Sequence, residues 1–280
     1  MKVTFWGVRG SIPTPGLETV RTGGNTPCVE VRTPDGDLII LDAGTGIRPL
    51  GLALQEGQPS RMIGHIFLSH THWDHIQGLP FFSPAWRRGN RFIILGEKRV
   101  NERLEQILAG QYMDTYLPFS LREMEADLLV KEIRDQESVV VGEHTLVTAR
   151  RLEHPGGVFA YRIAWKNLSL VYATDLRHPP GGLDEHLVEL ARGVSLLVHD
   201  ALLGADDVVL YPGWGHSSWL EAVQVAKAAQ VERLALFHYN PVHSDEALEA
   251  VERQARGLFP QAFLSRERQT VDLLTTELGP

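Results

Sequence analysis

The sequence predicts an α/β protein in which chemically active side chains collect at one edge of the β-structure. Several short apolar runs of β type each end in a histidine or an aspartate that is followed by a turn signal. Helix signals separate some of these runs, and open α/β sheets gather functional groups where their strands end. With 280 residues, of which 43% are hydrophobic, the chain is long enough to bury a large core.

The amino-terminal third predicts strands joined by turns. Residues 1–6 alternate between apolar and polar types, which favours a first strand and does not match the apolar core of a secretion signal. Glycines and prolines in 9–16 and 23–28 shape turns between the first two strands. The apolar run 38–41 predicts another strand, which leads into Asp42-Ala43-Gly44-Thr45-Gly46.

Residues 69–75 read Ser-His-Thr-His-Trp-Asp-His and form the most informative motif of the chain. The motif follows the apolar residues 66–68, so we expect it where a buried strand runs out into a loop. Alternation along the strand end would send His70 and His72 to one side, with Asp74 and His75 on the following turn. Neutral imidazoles beside a carboxylate, without a thiolate, suit zinc, manganese or iron.

Three later strand ends supply candidates for the remaining ligands. The β-type run 145–152 precedes His154, the run 168–174 precedes Asp175, and the run 233–237 precedes His238. Taken singly, each residue is at least as typical of a cap or a hydrogen-bonded loop position. Because the pattern recurs three times, we expect these side chains to join the motif of 69–75 in one metal site.

An irregular insert lies at about 97–127. It contains a predicted helix over 100–108 and the aromatic segment 111–119. The aromatic side chains could cover the metal edge and stack on a ring of the substrate, or they could pack the insert onto the body of the protein. The second interpretation is the more common one for aromatic residues.

The segment Gly213-Trp214-Gly215-His216-Ser217-Ser218 precedes a helix that should extend to about residue 230. Ser218 and Glu221 have the spacing of a capping box, and a further helix is expected from near Asp245 until Gly257. An imidazole and two hydroxyl groups at a helix N-terminus suit a phosphate, because the backbone N–H groups there have no partner within the helix. His216 is therefore a candidate proton donor, and Ser217 and Ser218 are candidate phosphate contacts.

The ordered set of histidines and aspartates resembles that of the metallo-β-lactamase superfamily, and the resemblance covers nearly the whole chain. It implies an αββα sandwich: two facing mixed β-sheets, flanked by helices, with the metals at one open edge. It also implies that Asp42 is the buried aspartate that supports the metal loop. The lactamases often use a cysteine at a metal position, whereas the single cysteine here, Cys28, is far from every motif that carries a candidate ligand. A β-lactamase activity is therefore disfavoured.

The resemblance also implies the ligand roles. Two divalent metal ions would be bound, with Zn²⁺ expected and Mn²⁺ or Fe compatible with the same donors. One ion would be held by the histidines His70, His72 and His154. The other would be held by Asp74, His75 and His238. Asp175 would bridge the two.

Within the superfamily, Gly215-His216-Ser217-Ser218 looks like the phosphodiesterase branch, which includes tRNase Z and related cyclic-nucleotide phosphodiesterases. In that branch the histidine that matches His216 assists departure of the leaving oxygen. The segment containing Asp200 resembles the one whose carboxylate orients this histidine. The motifs in 9–16 and 23–28 look like those of a bacterial subgroup of these proteins. Twenty residues separate His154 from Asp175, which leaves no room for the long arm with which tRNase Z grips tRNA.

Composition narrows the partners. The net charge of −8 at pH 7 argues against a broad basic surface for long nucleic acids, whose binding depends on phosphate neutralisation. No membrane span is expected, and one cysteine cannot form an intramolecular disulfide. We expect a cytoplasmic protein with 1–280 as a single domain, and a homodimer is compatible with the sequence.

These observations predict a dinuclear metal-dependent hydrolase that acts on a small phosphodiester or nucleotide. Asp74 would orient the attacking water, and His216, held by Asp200, would protonate the leaving alkoxide. Three alternatives remain at this point: a lactone or thioester hydrolase of the same fold, a mononuclear-iron oxidoreductase similar to the persulfide dioxygenases, and a non-catalytic metal-binding sensor. The metal content and the role of His216 distinguish them.

Overall fold

Two seven-stranded mixed β-sheets form the body of the protein. The computed structural model describes residues 1–56, 61–205, 207, 211 and 213–275. The strands of the first sheet are β1 (Lys2–Gly7), β2 (Cys28–Arg32), β3 (Leu38–Leu41), β4 (Ile63–Phe67), β5 (Arg91–Glu97), β6 (Asp127–Ile133) and β14 (Thr270–Asp272). The strands of the second are β7 (Ser138–Val141), β8 (Thr145–Leu152), β9 (Val158–Trp165), β10 (Leu168–Ala173), β11 (Leu196–Asp200), β12 (Leu234–Phe237) and β13 (Ala262–Leu264).

The two sheets follow the same plan. Their strand orders are β14-β1-β2-β3-β4-β5-β6 and β13-β12-β11-β10-β9-β8-β7. In the first sheet, β3 to β6 are parallel and the other neighbours are antiparallel. In the second, β10 to β13 are parallel, and the remaining pairs are antiparallel. Parallel strands end at the same edge of a sheet, so the residues after β10, β11 and β12 become neighbours.

The two sheets face each other across a buried core. Phe5 of the first sheet contacts Phe237 of the second, with ring centroids 6.2 Å apart. Phe67 contacts Tyr161 across the same interface at 5.3 Å. Tyr161 also donates a buried hydrogen bond of 2.6 Å to the carbonyl oxygen of Leu68, at the start of the histidine motif. The core therefore fixes the position of the loop that carries the candidate ligands.

Helices cover the outer faces of both sheets. Those described are α1 (Ile47–Gln55), α2 (Trp73–Ile76), α3 (Leu104–Gly110), α4 (Glu185–Leu190), α5 (Trp219–Ala228) and α6 (Asp245–Leu258). Buried residues of α1 and α3 pack with the first sheet, and those of α4, α5 and α6 pack with the second. The expected αββα sandwich is confirmed. No described helix is long and apolar enough to cross a membrane.

The helix boundaries follow local signals where a cap is present. Ser218 accepts a hydrogen bond from the N–H of Glu221 and forms the expected capping box of α5. Ser244 caps α6 in the same way. The helix expected over 100–108 begins instead at Leu104. Val100 is fully exposed, whereas Leu104 and Leu108 are buried, so the helix forms only where it has an apolar face to bury.

The insert between β5 and β6 is attached to the body through aromatic contacts. The ring of Phe119 contacts Trp86 at 4.9 Å, Tyr112 at 6.2 Å and Phe81 at 6.5 Å. Tyr112 is buried, while Tyr116 is 67% exposed. Packing onto the body accounts for Phe119 and Tyr112 but not for Tyr116.

Candidate metal centre

The candidate ligands leave their strands through unusual backbone conformations. Asp42, Asp175 and His238 follow β3, β10 and β12 closely and have φ values of 61°, 54° and 63°. Side chains other than glycine rarely adopt this left-handed region. Such conformations persist where the surrounding structure determines them, and they are frequent at functional sites. The sharp exits turn three polar side chains into the same edge of the sandwich.

The histidines His70, His72 and His154 form the first cluster. One ligand atom from each lies within 4.8 Å of the others. The Nε2 atom of His154 is 3.1 Å from Nδ1 of His72. His154 uses its other nitrogen to contact the carbonyl oxygen of Gly215 at 2.9 Å, which orients Nε2 toward the cluster. Strand β4 ends at Phe67, so the expected alternation of His70 and His72 along a strand is wrong; a loop brings them together.

Asp74, His75, Asp175 and His238 form the second cluster, again with ligand atoms within 4.8 Å of one another. Oδ2 of Asp175 lies 3.1 Å from Nε2 of His75 and 3.3 Å from Nε2 of His238. The other oxygen of Asp175 lies 3.8 Å from Nε2 of His70, in the first cluster. Asp175 thus faces both clusters, as a bridging carboxylate would.

The residues present fit divalent metal ions. Nε2 of His70 is buried without a hydrogen-bond partner among the described residues, and Nε2 of His75, although 3.1 Å from Oδ2 of Asp175, lacks the geometry of a hydrogen bond. Buried polar atoms are normally paired, so two imidazole nitrogens that point into a cluster of carboxylates and histidines require an explanation. Neutral nitrogen and carboxylate donors at this spacing suit borderline divalent metals.

The electrostatics of the second cluster show how strongly its groups interact. Burial alone would lower the pKa of His75, but the Asp175, Asp74 and Asp42 carboxylates outweigh burial and raise that pKa well above its usual value. Burial would raise the pKa of Asp74, yet His75 and His238 hold it well below the usual range. Three carboxylates therefore favour positive charge at this point, whether it comes from protons or from metal ions.

Asp42 supports the cluster from behind. Its carboxylate is fully buried and accepts hydrogen bonds from the N–H and the hydroxyl of Ser69, at 2.7 and 2.8 Å. It also accepts from Nδ1 of His75 at 2.8 Å and from the hydroxyl of Tyr172 at 2.7 Å. The bond from His75 fixes which ring nitrogen faces the cluster. The bond from Tyr172 reaches from the second sheet to the first.

His216 and Asp200 form a dyad beside the second cluster. Nδ1 of His216 lies 2.9 Å from Oδ2 of Asp200, and the two rings of His216 and His238 stack at 5.2 Å. Asp200 also accepts hydrogen bonds from the N–H groups of Leu176, Leu202 and Ser217, so both of its oxygens have partners within the protein. Burial opposes a charged His216, but Asp200 outweighs burial and raises the pKa of the imidazole to about 9. Bound metal ions would act against this increase.

Ser217 and Ser218 are both engaged inside the protein. The hydroxyl of Ser217 donates to the carbonyl oxygen of Leu176 at 2.6 Å. The hydroxyl of Ser218 serves the capping box with Glu221. Both residues are buried. In this arrangement neither hydroxyl is available for the predicted contact with a substrate phosphate.

Two glycines allow close approach to the histidines. A Cβ atom on Gly215 would lie 2.7 Å from Nδ1 of His154, and Gly215 has a φ of +78° that other residues rarely adopt. A Cβ atom on Gly10 would lie 2.6 Å from the His238 ring. The sequence predicts a turn at Gly10 and makes no separate prediction for Gly215; it does not indicate which histidine either glycine approaches.

The structure adds one backbone contact that sequence reasoning missed. The N–H of Ser11 donates to Oδ2 of Asp74 at 2.7 Å, and Ser11 has a φ of 63°. From the sequence, 9–16 is predicted only to form a turn between strands. In the structure this turn also binds the Asp74 carboxylate of the second cluster. The dense glycine and proline pattern was the one indication in the sequence that the backbone of 9–16 is unusual.

Comparison with known proteins identifies the family. The family model described as the beta-lactamase superfamily domain matches residues 38–239, which span β3 to the residue after His238. The chain belongs to the beta-lactamase superfamily. All the candidate ligands, together with Asp200 and His216, lie in the matched region.

Individual superfamily members are similar over most of the chain. Ribonuclease Z of Treponema pallidum is 25% identical over 295 residues, which cover 87% of this chain and 90% of that protein. The structure of YhfI from Bacillus subtilis has a TM-score of 0.73 at 18% identity, covering 96% of this chain and 98% of YhfI. The short form of human tRNase Z has a TM-score of 0.69 at 21% identity, covering 98% and 99%.

The similarity to the relatives named ribonuclease Z supports the tRNase Z-like branch of this superfamily. The family match and the relatives, together with the cluster of histidines and aspartates, identify the protein as a metal-dependent hydrolase. The donor set indicates divalent metal ions.

The position of Asp42 leads to a stability prediction. Asp42→Asn should lower the free energy of unfolding by roughly 1.5–3 kcal/mol, because a neutral amide replaces a charged acceptor and turns an N–H₂ group toward donors. Urea unfolding of chelator-treated protein measures this directly. Asp35→Asn is the matched control: Asp35 also accepts from a tryptophan and a histidine, but at the surface, and its replacement should have a smaller effect. Equal effects of the two variants would contradict the role given to Asp42.

Proposed function

We propose that the protein is a dinuclear phosphodiesterase that acts on a small phosphodiester or nucleotide. The observation that carries this proposal is the His216–Asp200 dyad, placed beside the two ligand clusters but not needed to complete either of them. An ester or lactone of an acidic leaving group needs no dedicated acid. A phosphodiester with an alkyl leaving group does, because the departing alkoxide is strongly basic.

The proposed metal assignment follows the two clusters. One ion would be held by His70, His72 and His154. The other would be held by Asp74, His75 and His238. Asp175 would serve both, and we expect Zn²⁺ in the two sites. Bound there, the ions would lower the pKa of water and stabilise negative charge on phosphoryl oxygens.

The chain itself supplies orientation and proton transfer. Asp74 is fixed by the N–H of Ser11 and contacts Nε2 of His238, so it can accept a hydrogen bond from the attacking water in one defined direction. His216 carries its proton on the side away from Asp200 and donates it to the leaving oxygen. Asp200 keeps the ring oriented and stabilises its charged form. Asp42 accepts a hydrogen bond from Nδ1 of His75 and so keeps Nε2 of that ring directed at the second cluster.

A small substrate is favoured over a transfer RNA. Between His154 and Asp175 the chain forms only the hairpin of β9 and β10, joined at Trp165 and Leu168. The net charge of −8 is also unfavourable for a polyanion. The relatives named ribonuclease Z are the strongest argument for the opposite view, so RNA must be tested directly.

Two alternatives keep the same fold. A lactone or thioester hydrolase would use the metal donors but would not depend on the dyad. A mononuclear-iron oxidoreductase would need only one of the two clusters, whereas both are complete here. We also propose that 1–280 act as one domain with an insert at about 97–127; residues 57–60, 206, 208–210, 212 and 276–280 of that span lie outside those that the structure describes.

The metal assignment predicts a defined stoichiometry. Elemental analysis of protein purified without chelator should find two transition-metal ions per chain. Asp175→Ala should lower both occupancies, because Asp175 faces both clusters. Asp200→Asn is the control and should keep both ions, since its oxygens bind backbone N–H groups. One tightly held metal, unchanged in Asp175→Ala, would contradict the dinuclear assignment.

The acid role of His216 predicts a selective loss of activity. His216→Ala should retain both metals and lose roughly 10²- to 10⁴-fold in kcat/KM on a dinucleotide with an alkyl leaving group. A nitrophenyl diester should be much less affected, because nitrophenolate departs without a proton. Asp200→Asn should show the same selectivity at smaller amplitude. Equal losses on both substrates would assign His216 a structural role and favour the lactone or thioester alternative.

The preference for small substrates predicts weak activity on RNA. The wild-type protein should hydrolyse bis-p-nitrophenyl phosphate or a dinucleotide but should not remove the 3′ trailer of a precursor tRNA. Activity on the small substrate should fall only mildly between low and physiological salt, because few phosphates are contacted. Efficient trailer removal with a steep salt dependence would restore the tRNase Z interpretation.

A further inference from the structure

A cavity of about 900 Å³ opens beside His216. It lies between the loop that follows Asp175, the start of α4 and the exposed side of α5. The polar part of its lining includes Glu153, Arg177, Asp184, Tyr211, Glu221 and Gln224. Its volume falls within the range of small-molecule sites and is too small for a folded nucleic acid.

The position of His216 identifies which half of a substrate enters this cavity. A general acid must come within hydrogen-bond distance of the oxygen that it protonates. His216 is the one member of the dyad and ligand clusters that lines the cavity. The leaving oxygen must therefore lie at the entrance of the cavity, and the alcohol that carries this oxygen must extend into it.

The charge of the lining limits the chemistry of that alcohol. The described lining contains three carboxylates, from Glu153, Asp184 and Glu221, against the single guanidinium of Arg177. Arg177 pairs with Glu153 at 2.9 Å. Asp184 and Glu221 contact the N-termini of α4 and α5 rather than cationic side chains. With three carboxylates and one guanidinium, the lining keeps an excess of negative charge.

The remaining walls are largely apolar. Pro179, Pro180 and Leu183 form one part of the lining. Tyr211 forms another, and its ring stacks on Trp214 with centroids 4.4 Å apart. Both aromatic side chains are substantially exposed, so their rings can pack against a flat or branched apolar group of a bound molecule. An apolar wall with a negative rim suits an uncharged or cationic organic group.

Positive charge is found elsewhere around the centre. A Cβ atom on Gly156 would lie 4.0 Å from the guanidinium of Arg99. Arg151 donates to the carbonyl oxygen of Gly156, in the loop that follows His154. Arg99 and Arg151 both pair with Glu97, so two guanidinium groups share one carboxylate. An anionic ester group therefore has a more favourable place near these arginines than in the cavity beside His216.

We propose that this cavity is the leaving-group subsite and that it selects a neutral or cationic alcohol over an anionic one. This inference rests on the proposed phosphodiesterase function and names the part of the substrate that decides its specificity. In the reaction, the oxygen of water bonds to phosphorus and loses a proton to solvent, the bond between phosphorus and one ester oxygen breaks, and His216 gives its proton to that oxygen and regains one from solvent. The products are a phosphate monoester and a free alcohol.

Three unsymmetrical methyl phosphodiesters test the inference. Their second ester group is choline, 3,3-dimethylbutanol, which has the same shape without the charge, or 3-hydroxypropionate, which is anionic. Each turnover releases either the larger alcohol with methyl phosphate, or methanol with the larger phosphate monoester. Phosphorus NMR measures this ratio, which reports the group that occupied the leaving-group subsite and is independent of the fraction of folded enzyme.

The choline and dimethylbutyl diesters should release mainly the larger alcohol, and the hydroxypropionate diester should release mainly methanol. Gln224→Lys places a positive charge on the cavity wall and should shift the ratio for the anionic diester roughly 3- to 10-fold toward release of hydroxypropionate. Gln254→Lys makes the same substitution at an exposed position of α6, away from the cavity lining, and should leave the ratio unchanged.

The outcomes separate this inference from the proposed function. If no diester is hydrolysed by the wild-type protein, the phosphodiesterase proposal fails and the inference fails with it. If all three diesters are hydrolysed with the same product ratio, the proposed function stands and the subsite assignment is overturned. The same conclusion follows if Gln224→Lys and Gln254→Lys shift the ratio equally, because the effect would then come from net charge rather than from the cavity.

Discussion

The hydrogen bonds of the buried Asp42 carboxylate hold the candidate ligands and the two sheets in their relative positions. A charged group in an apolar interior is stable only when its hydrogen bonds are complete, and Asp42 obtains four of them, from Ser69, His75 and Tyr172. Ser69 starts the histidine motif, His75 belongs to the second cluster, and Tyr172 lies on the opposite sheet. One side chain thus connects the packing of the two sheets to the orientation of the ligands.

The centre is also determined by where strands end. The residues after β3, β10 and β12 leave the sheets in left-handed conformations, which cost free energy and are maintained by the packing around them. Because neighbouring strands are parallel, their exits meet at one edge, and residues far apart in the chain come within reach of the same ion. Asp175 shows the result most clearly, since its two oxygens face different clusters.

The dyad and the ligand clusters form one connected unit. Gly215 accepts a hydrogen bond from His154 and directly precedes His216, so the loop that orients a ligand also carries the candidate acid. The His216 ring stacks on the His238 ring. Asp200 accepts hydrogen bonds from the N–H of Leu176, which follows Asp175, and from the N–H of Ser217, which follows His216. A change in the loop that contains Gly215 would therefore alter both the ligand geometry and the proton donor. This coupling fixes the position of the cavity beside His216 relative to the two ligand clusters.

The strand ends and helix caps, which depend on local pattern, can be predicted from the sequence alone. The strands that end before His154, Asp175 and His238 follow from apolar runs and turn signals, and α5 begins at its capping box because that signal lies within four residues. Contacts between residues far apart in the chain are visible only in the tertiary structure. The start of α3 is set by the apolar surface available to Leu104, and the bond from Ser11 to Asp74 joins residues 63 positions apart. The hydroxyl of Ser217 is bound by Leu176, from another strand exit, and only the folded chain shows that partner. Local sequence encodes periodicity and caps, whereas contacts across the sandwich exist only once the two sheets have packed.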